Sequence, residues 1–151
     1  MTAPAYDILV TVDEPFAALV DPAWASAVAG RALEAEAVPQ AELGIVITDD
    51  ETLRRLNRDY AGEDHATDVL SFSLREGEPF AAPDAVDRLG EVIISYETAE
   101  RQAREAGHPA EAEIEHLLVH GVLHLLGYDH ARPEEEIVMR AREAELLGRA
   151  H

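Results

Sequence analysis

The sequence contains no cysteine, and this absence restricts the chemistry open to the chain. Disulfides and thiolate metal sites are excluded, so any metal ion must be held by His, Asp or Glu. No basic stretch precedes an apolar run near the N-terminus, and no apolar run approaches the length of a membrane span. These absences fit a reducing compartment, and we expect a cytoplasmic protein without a signal peptide or membrane segment.

Lysine is absent as well: all 12 basic residues are arginine, against 31 acidic residues, and the net charge is -19. Proteins that bind nucleic acid usually carry a basic surface, because phosphate contacts dominate their affinity. The bulk charge therefore argues against a nucleic-acid partner. Net charge describes long-range steering rather than the field in one cleft, however, and a divalent cation on neutral ligands would bring its full charge into such a cleft.

Length and hydrophobic patterning indicate one domain over residues 1–151. The chain has 151 residues, of which 47% are hydrophobic and 28% charged, which is enough to bury a core. Alternating apolar residues predict strands, and apolar residues at helical spacing predict helices. The predicted strands are 6–12, 43–48, 69–74 and 89–96, and the predicted helices are 22–37, 50–60, 97–106, 109–126 and 133–147. We expect an α+β fold, a small four-stranded mixed sheet with about five helices packed on it.

Residues with special backbone preferences mark the predicted helix ends. Asp21 and Pro22 are typical of an N-cap and a first helical position, and Asp49 or Asp50 is expected to cap the second helix. Gly107 and Gly127 are expected to end the third and fourth helices. Segments 61–66 and 75–88 are predicted loops, the longer one a mobile surface loop. In the last helix, apolar contacts are expected from Ile137, Met139, Ala144 and Leu147.

Five of the seven histidines lie in or next to one segment, 108–130. His120 and His124 are four residues apart on a predicted helix, so they differ by only ~40° around its axis and lie one turn apart. Two imidazoles at this spacing can reach one tetrahedral ion, as in the helical zinc motifs of metalloproteases. We therefore expect one metal ion at this pair.

A third ligand has to come from outside the helix, and the sequence offers His130. Gly127 can turn the chain back, which brings His130 within reach of the same ion. Three protein ligands leave the fourth position of zinc to water, whose pKa falls to about 7 at such sites. The expected metal site is therefore catalytic in type, with the general base unknown.

The neighbouring residues leave alternatives open. His116 continues the helical stripe and could replace His130 as a ligand, but we interpret it as a core residue or a support for a ligand. Asp129 could accept a hydrogen bond from a ligating histidine or could cap a turn. Gly121 follows His120 at the position where helical metalloproteases carry a catalytic glutamate, which argues against peptide hydrolysis.

These residues resemble those of the YbeY family of bacterial endoribonucleases. The resemblance rests on the histidine segment 116–130, on Leu56-Asn57 with Tyr60, on 67–72 (Thr-Asp-Val-Leu-Ser-Phe), on 89–92 (Leu-Gly-Glu-Val), and on Met139 with Glu143. It implies a zinc ion on His120, His124 and His130 and cleavage of single-stranded RNA. It further implies maturation of the 3′ end of small-subunit ribosomal RNA and ribosome quality control in the cytoplasm, with the small subunit as partner and no membrane or DNA.

One position departs from the family's pattern. The family usually has an arginine after the aromatic residue of the Leu-Asn block, where this chain has Ala61. An arginine there would hold a phosphate or offset transition-state charge. Arg58 or Arg55 could replace it, and Arg58 is the candidate. The alternative for Arg58 is a solvated charge on the helix surface. Two other functions stay open: a ribosome-assembly factor with a non-catalytic metal site, and a zinc hydrolase of peptides or small amides.

Overall fold

The computed structural model describes residues 5–61, 67–73, 88–128 and 132–148. Within them lie four strands and five α-helices, as the sequence predicts. The strands are Ala5–Val12 (β1), Gln40–Thr48 (β2), Val69–Ser73 (β3) and Arg88–Ser95 (β4). The helices are Pro22–Ala35 (α1), Asp50–Ala61 (α2), Tyr96–Ala106 (α3), Ala110–Leu125 (α4) and Pro133–Leu147 (α5), and a short 3-10 turn covers Glu14–Phe16.

The four strands form one sheet in the order β1-β2-β4-β3. β1, β2 and β4 are parallel, whereas β3 runs antiparallel to β4. The expected mixed sheet with helices packed on it is therefore confirmed. β1 and β3 are therefore the two edge strands of the described sheet.

One face of the sheet carries α1 and α4, and the hydrophobic core lies between these helices and the strands. Ile45 and Val92 point into it from β2 and β4, and both are fully buried. Leu118 and Val122 of α4 belong to the same core cluster and are also fully buried. Burying each such side chain stabilises the fold by about 1.5–3 kcal/mol. The core thus fixes α4, the helix that carries three of the histidines, on the sheet.

The helix ends agree with their sequence signals. The Asp21 carboxylate accepts a hydrogen bond from the Ala23 amide at 2.9 Å, with Pro22 in the first turn. Asp49 caps α2 by accepting from the Thr52 amide at 2.8 Å. Gly107 follows α3 with φ 76°, in the left-handed region that favours glycine. Gly127 follows α4 with φ 109°, as expected for its end.

Several details differ from the sequence predictions. The strand predicted over 43–48 begins at Gln40, and the helix predicted over 22–37 ends at Ala35. Arg88, assigned to a loop, is the first residue of β4 and pairs with Glu42 of β2. Tyr96, assigned to a strand, begins α3, because the Ser95 side chain accepts a hydrogen bond from the Thr98 amide and caps the helix. Ile137, expected to pack inward, is 69% exposed.

The prediction for Ile137 is wrong because the buried stripe of α5 lies along different residues. That stripe runs through Met139 and Glu143, which are 1% and 3% exposed.

No helix among the described residues is long and apolar enough to cross a membrane. The predicted loop segments 62–66 and 75–87 lie outside the described residues.

Candidate metal centre

Helix α4 places His116, His120 and His124 at successive turns, as their spacing predicts. The ring centroids of His116 and His120 are 6.3 Å apart. Both of these residues are half-buried, whereas His124 is exposed near the end of the helix. A metal ion bound by His120 and His124 would therefore be accessible to solvent.

A carboxylate from another helix lies behind two of these histidines. Oε2 of Glu143, on α5, is 2.7 Å from Nδ1 of His120, and Oε1 is 3.0 Å from Nε2 of His116. An ionised carboxylate only accepts hydrogen bonds, so the Nδ1 of His120 is the donor. The nitrogen of His120 that a metal would use is then Nε2. Carboxylate–histidine–metal arrangements of this kind are common around zinc.

The charge on Glu143 is maintained despite its burial. Burial raises the pKa of Glu143. Hydrogen bonds from His116 and His120 lower it by a larger amount, so that the net pKa is about 2. Glu143 is therefore ionised at neutral pH. A buried anion held in this way suits the support of a cationic centre.

A second carboxylate extends the same set of contacts toward the surface. Oε2 of Glu113, at the start of α4, is 2.9 Å from Nε2 of His108. Oε1 of Glu113 is 3.9 Å from Nδ1 of His116. His108, Glu113, His116, Glu143 and His120 thus alternate imidazole and carboxylate, and all five line a cavity of about 520 Å³.

Gly121 lets α4 approach the sheet closely beside His120. A Cβ at Gly121 would lie 2.6 Å from Cγ1 of Val92 and 3.3 Å from Oγ of Ser71. Any side chain here would collide with β4, so a glutamate at this position has no room. The packing gives the physical reason for the glycine that the sequence shows where helical metalloproteases have a base.

An open cavity of about 540 Å³ lies on the other side of the histidine pair. It is lined by the C-terminal half of β3 and by the end of α4, namely by Ser71, Phe72, Ser73, His124, Leu125, Leu126 and Gly127. Ser71 faces α4, whereas the ring of Phe72 contacts that of Tyr60 at 5.4 Å. Ser71 and Phe72 therefore lie on opposite faces of β3.

The residues that follow α4 are fastened to α1. Glu36 lies directly after the end of α1, and its carboxylate accepts a hydrogen bond from the Tyr128 hydroxyl at 3.2 Å. The same carboxylate accepts a hydrogen bond from Nε of Arg142 at 2.6 Å, next to Glu143 on α5. Glu36 therefore holds both α5 and the start of the segment that leads to His130.

The described part of the site fits a metal ion in its donor chemistry but does not complete a ligand set. Within the described ranges no group of three His, Cys, Asp or Glu side chains is arranged so that it could hold a metal ion. His130, the predicted third ligand, and Asp129 lie outside those ranges. The imidazole pair and the carboxylate behind His120 are the donor types that zinc prefers.

Arg58, the candidate to replace the family's arginine, and two acidic residues of the family motifs, Asp68 and Glu91, make other contacts. The side chain of Arg58 is 51% exposed and pairs with Asp59 through Nε at 3.2 Å. It does not line either cavity next to the histidines, among the residues that the structure describes. Asp68 has a structural role, because its carbonyl accepts from the Ser95 amide at 3.0 Å. Glu91 faces Gly44, on the side of the sheet opposite α4.

The sequence carries a signal for Glu143 that its pattern alone makes visible. Met139 and Glu143 are four residues apart and share the buried stripe of α5. An acidic residue on such a stripe needs a partner, because an unpaired buried charge is strongly destabilising. A histidine row on the preceding helix would have been the partner to consider.

The fold and the donor set together define a class: an α+β domain with a candidate metal centre on one helix. A family model described as endoribonuclease YbeY matches residues 16–151. Endoribonuclease YbeY of Pelotomaculum thermopropionicum is 48% identical over 141 residues, covering 93% of this chain and 90% of the relative. The protein of the same name from Desulforamulus reducens is 45% identical over 142 residues, covering 93% and 90%.

The chain therefore belongs to the endoribonuclease YbeY family, and the resemblance found in its motifs is confirmed. The solution structure of TM1509 from Thermotoga maritima is similar with a TM-score of 0.56 and 22% identity, covering 93% of this chain and 89% of that one. At this identity the likeness supports the fold alone.

Proposed function

We propose that this chain uses one zinc ion, held by His120, His124 and His130, to cut single-stranded RNA. Membership of the family makes the chain an endoribonuclease, a hydrolase that acts on RNA. The observation that carries the zinc proposal is the pair His120 and His124 on α4, with the Glu143 carboxylate 2.7 Å behind His120. We further propose that residues 1–151 form one domain that acts in the cytoplasm on the 3′ end of small-subunit ribosomal RNA and in ribosome quality control.

Zinc on three imidazoles would supply Lewis-acid polarisation of a phosphoryl oxygen and activation of a nucleophile at neutral pH. The chain itself supplies the position of these groups. His124 is exposed at the cavity of about 540 Å³, where a phosphodiester can approach it. Ser71 and Ser73 border the same cavity and carry hydroxyls that can hydrogen-bond to the sugar-phosphate backbone.

Gly121 argues against the alternative of a peptide hydrolase. The helical metalloproteases place a general base directly after the first histidine. Here that position is packed against Val92, where a Cβ would already be 2.6 Å from a methyl carbon. No base can be supplied from this position of α4.

One observation favours the alternative of a non-catalytic ribosome-assembly factor. Ala61 stands where the family usually has an arginine, and the nearby Arg58 is paired with Asp59 at 3.2 Å. Such a factor would bind zinc and small ribosomal subunits without cutting RNA. The two functions therefore differ in turnover and agree in metal content.

The test pairs metal analysis with RNA cleavage. Wild type, His124→Ala and His151→Ala are purified without a histidine tag, their zinc content is measured, and each is incubated with labelled single-stranded RNA. The last variant makes the same chemical change outside segment 108–130 of the sequence. We expect about one zinc per chain and cleavage for wild type and His151→Ala, and loss of both for His124→Ala.

The other outcomes decide against the proposal in different ways. Zinc bound by the wild type without cleavage would favour the assembly factor. A wild type that cuts RNA without any bound metal, or that binds no zinc at all, would overturn the proposed role of the histidines.

A further inference from the structure

Glu143 is the most deeply buried acidic side chain of the histidine cluster, at 3% exposure. Both of its oxygens are used, one by His120 and one by His116, and these partners belong to another helix. Two contacts from two neighbouring turns of α4 prevent the carboxylate from rotating. The group is thus fixed in position as well as paired.

The two histidines contact Glu143 through different ring nitrogens. His120 approaches Glu143 with Nδ1, the nitrogen next to its side-chain stem, at 2.7 Å. His116 approaches with Nε2, at the tip of its ring, and its Nδ1 is 3.9 Å from Glu113. His116 therefore bridges two carboxylates, whereas the contact of His120 selects Nε2 as its nitrogen for a metal.

We propose that Glu143 is a positioning residue of the metal centre, which holds His120 in the Nδ1–H tautomer and in one ring orientation so that Nε2 binds zinc. This inference rests on the proposed function, since it requires His120 to be a ligand. The short contact of 2.7 Å between Glu143 Oε2 and His120 Nδ1, together with the burial of the carboxylate, holds the ring in this orientation. His116 contributes by holding the second oxygen.

A purely structural role for Glu143 predicts different behaviour. If the carboxylate only fastens α5 to α4, an apolar residue of similar size should serve as well, because burying an ion pair is often no better than apolar packing. His116 and His120 are about one quarter exposed, at 24% and 26%, so water can reach them in such a variant. Stability and zinc affinity can therefore be separated.

The experiment compares wild type, Glu143→Gln, Glu143→Met and Glu134→Gln. Glu134→Gln is the matched control, since it makes the same chemical change at an exposed position of the same helix. Zinc affinity is measured by competition with a chromophoric chelator, and thermal unfolding is measured on the metal-free proteins. We expect zinc affinity to fall about 10–100-fold in both Glu143 variants and to stay unchanged in the control.

A spectroscopic readout tests the tautomer without metal or RNA. In metal-free protein labelled with 15N at histidine, the ring nitrogens of His120 should show the Nδ1–H form in the wild type. In Glu143→Met they should show a mixture of both tautomers. A purely structural role would leave this signature unchanged.

The outcomes distinguish this inference from the function on which it rests. A wild type that binds zinc, together with Glu143 variants of unchanged affinity, would overturn the positioning role and leave the proposed function standing. A wild type that binds no zinc would overturn both. Loss of affinity that follows only loss of thermal stability, with an unchanged tautomer of His120, would also overturn the positioning role.

Discussion

Gly121 and Val92 are in such close contact that a Cβ on the glycine would lie 2.6 Å from Cγ1 and 3.0 Å from Cγ2 of the valine. Real Cβ atoms do not approach other carbons this closely, so the glycine sets the distance between α4 and β4. His120 is the neighbouring residue in sequence, and its height above the sheet is fixed by the same contact. Two of the three proposed ligands, His120 and His124, thus lie on a helix whose distance from the sheet is fixed by packing.

Gly121→Ala is expected to lower the free energy of unfolding by about 1–3 kcal/mol, because overpacking a core forces the backbone or a neighbour to shift. Urea denaturation monitored by circular dichroism measures the change. Gly30→Ala is the control: its Cβ would meet nothing closer than 4.0 Å, so a gain of about 0.5–1 kcal/mol is expected in a helix. Gly121→Ala should cost less free energy of unfolding in a Val92→Ala background than in the wild type, because the colliding methyl groups are gone. An equal cost in both backgrounds would contradict the role of this contact.

Replacing single histidines should separate ligands from their supports. His130→Ala is expected to abolish stoichiometric zinc binding, because it removes a proposed ligand. His116→Ala should keep one zinc per chain with an affinity lower by about tenfold, since it loosens Glu143 rather than removing a ligand. Isothermal titration with zinc measures both, and the reverse pattern would make His116 the third ligand.

Zinc should stabilise the folded chain. A ligand that binds only the folded state at a free concentration of 100 times its Kd stabilises it by about 2.7 kcal/mol. The melting temperature of the wild type is therefore expected to rise on adding zinc and to fall again with a chelator. His124→Ala should show no rise, and an equal rise in both proteins would indicate binding elsewhere.

Asp50 provides a pH-dependent contribution to stability. Burial raises the pKa of Asp50, but hydrogen bonds from Ser95 and Thr98 and the ion pair with Arg101 lower it below its usual 3.8. A carboxyl with a lower pKa in the folded state stabilises the fold above pH 4, and this contribution is lost as the pH falls through the folded pKa. Urea unfolding between pH 2.5 and 7 should therefore show a smaller acid loss for Asp50→Asn than for wild type.

The control for this effect is Asp59→Asn, an exposed change on the same helix, which should keep the acid dependence of the wild type. Asp50→Asn should also lower stability at neutral pH, because the amide loses the charge that faces Arg101. An acid dependence identical in wild type and Asp50→Asn would show that Asp50 does not contribute in this way.

Ala61→Arg tests the departure from the family's pattern. If an arginine at this position supports phosphate binding or charge development, cleavage of single-stranded RNA should increase by about tenfold or more. Ala61→Gln adds comparable size without the charge and should not reproduce the increase. Equal rates for both variants would show that charge at position 61 is not limiting.

Much of the fold could be predicted because its signals are local. Asp21, Gly107 and Gly127 act through their own backbone and side chain, and all three mark helix ends in the structure. The order of the strands could not be predicted, because β4 enters between β2 and β3 by contacts that no local pattern specifies. The buried stripe of α5 indicates that Glu143 needs a partner, but it does not specify which one, because the partners are 23 and 27 residues away on another helix.

Glu36 gives the site a dependence on the first helix of the chain. Its carboxylate holds Arg142, next to Glu143, and also Tyr128, on the way to His130. A molecule in which α1 has not docked loses the contacts that Glu36 makes with Arg142 and Tyr128. Under the proposed function, zinc binding and RNA cleavage would then follow completion of the fold, so that only the fully folded chain would be active.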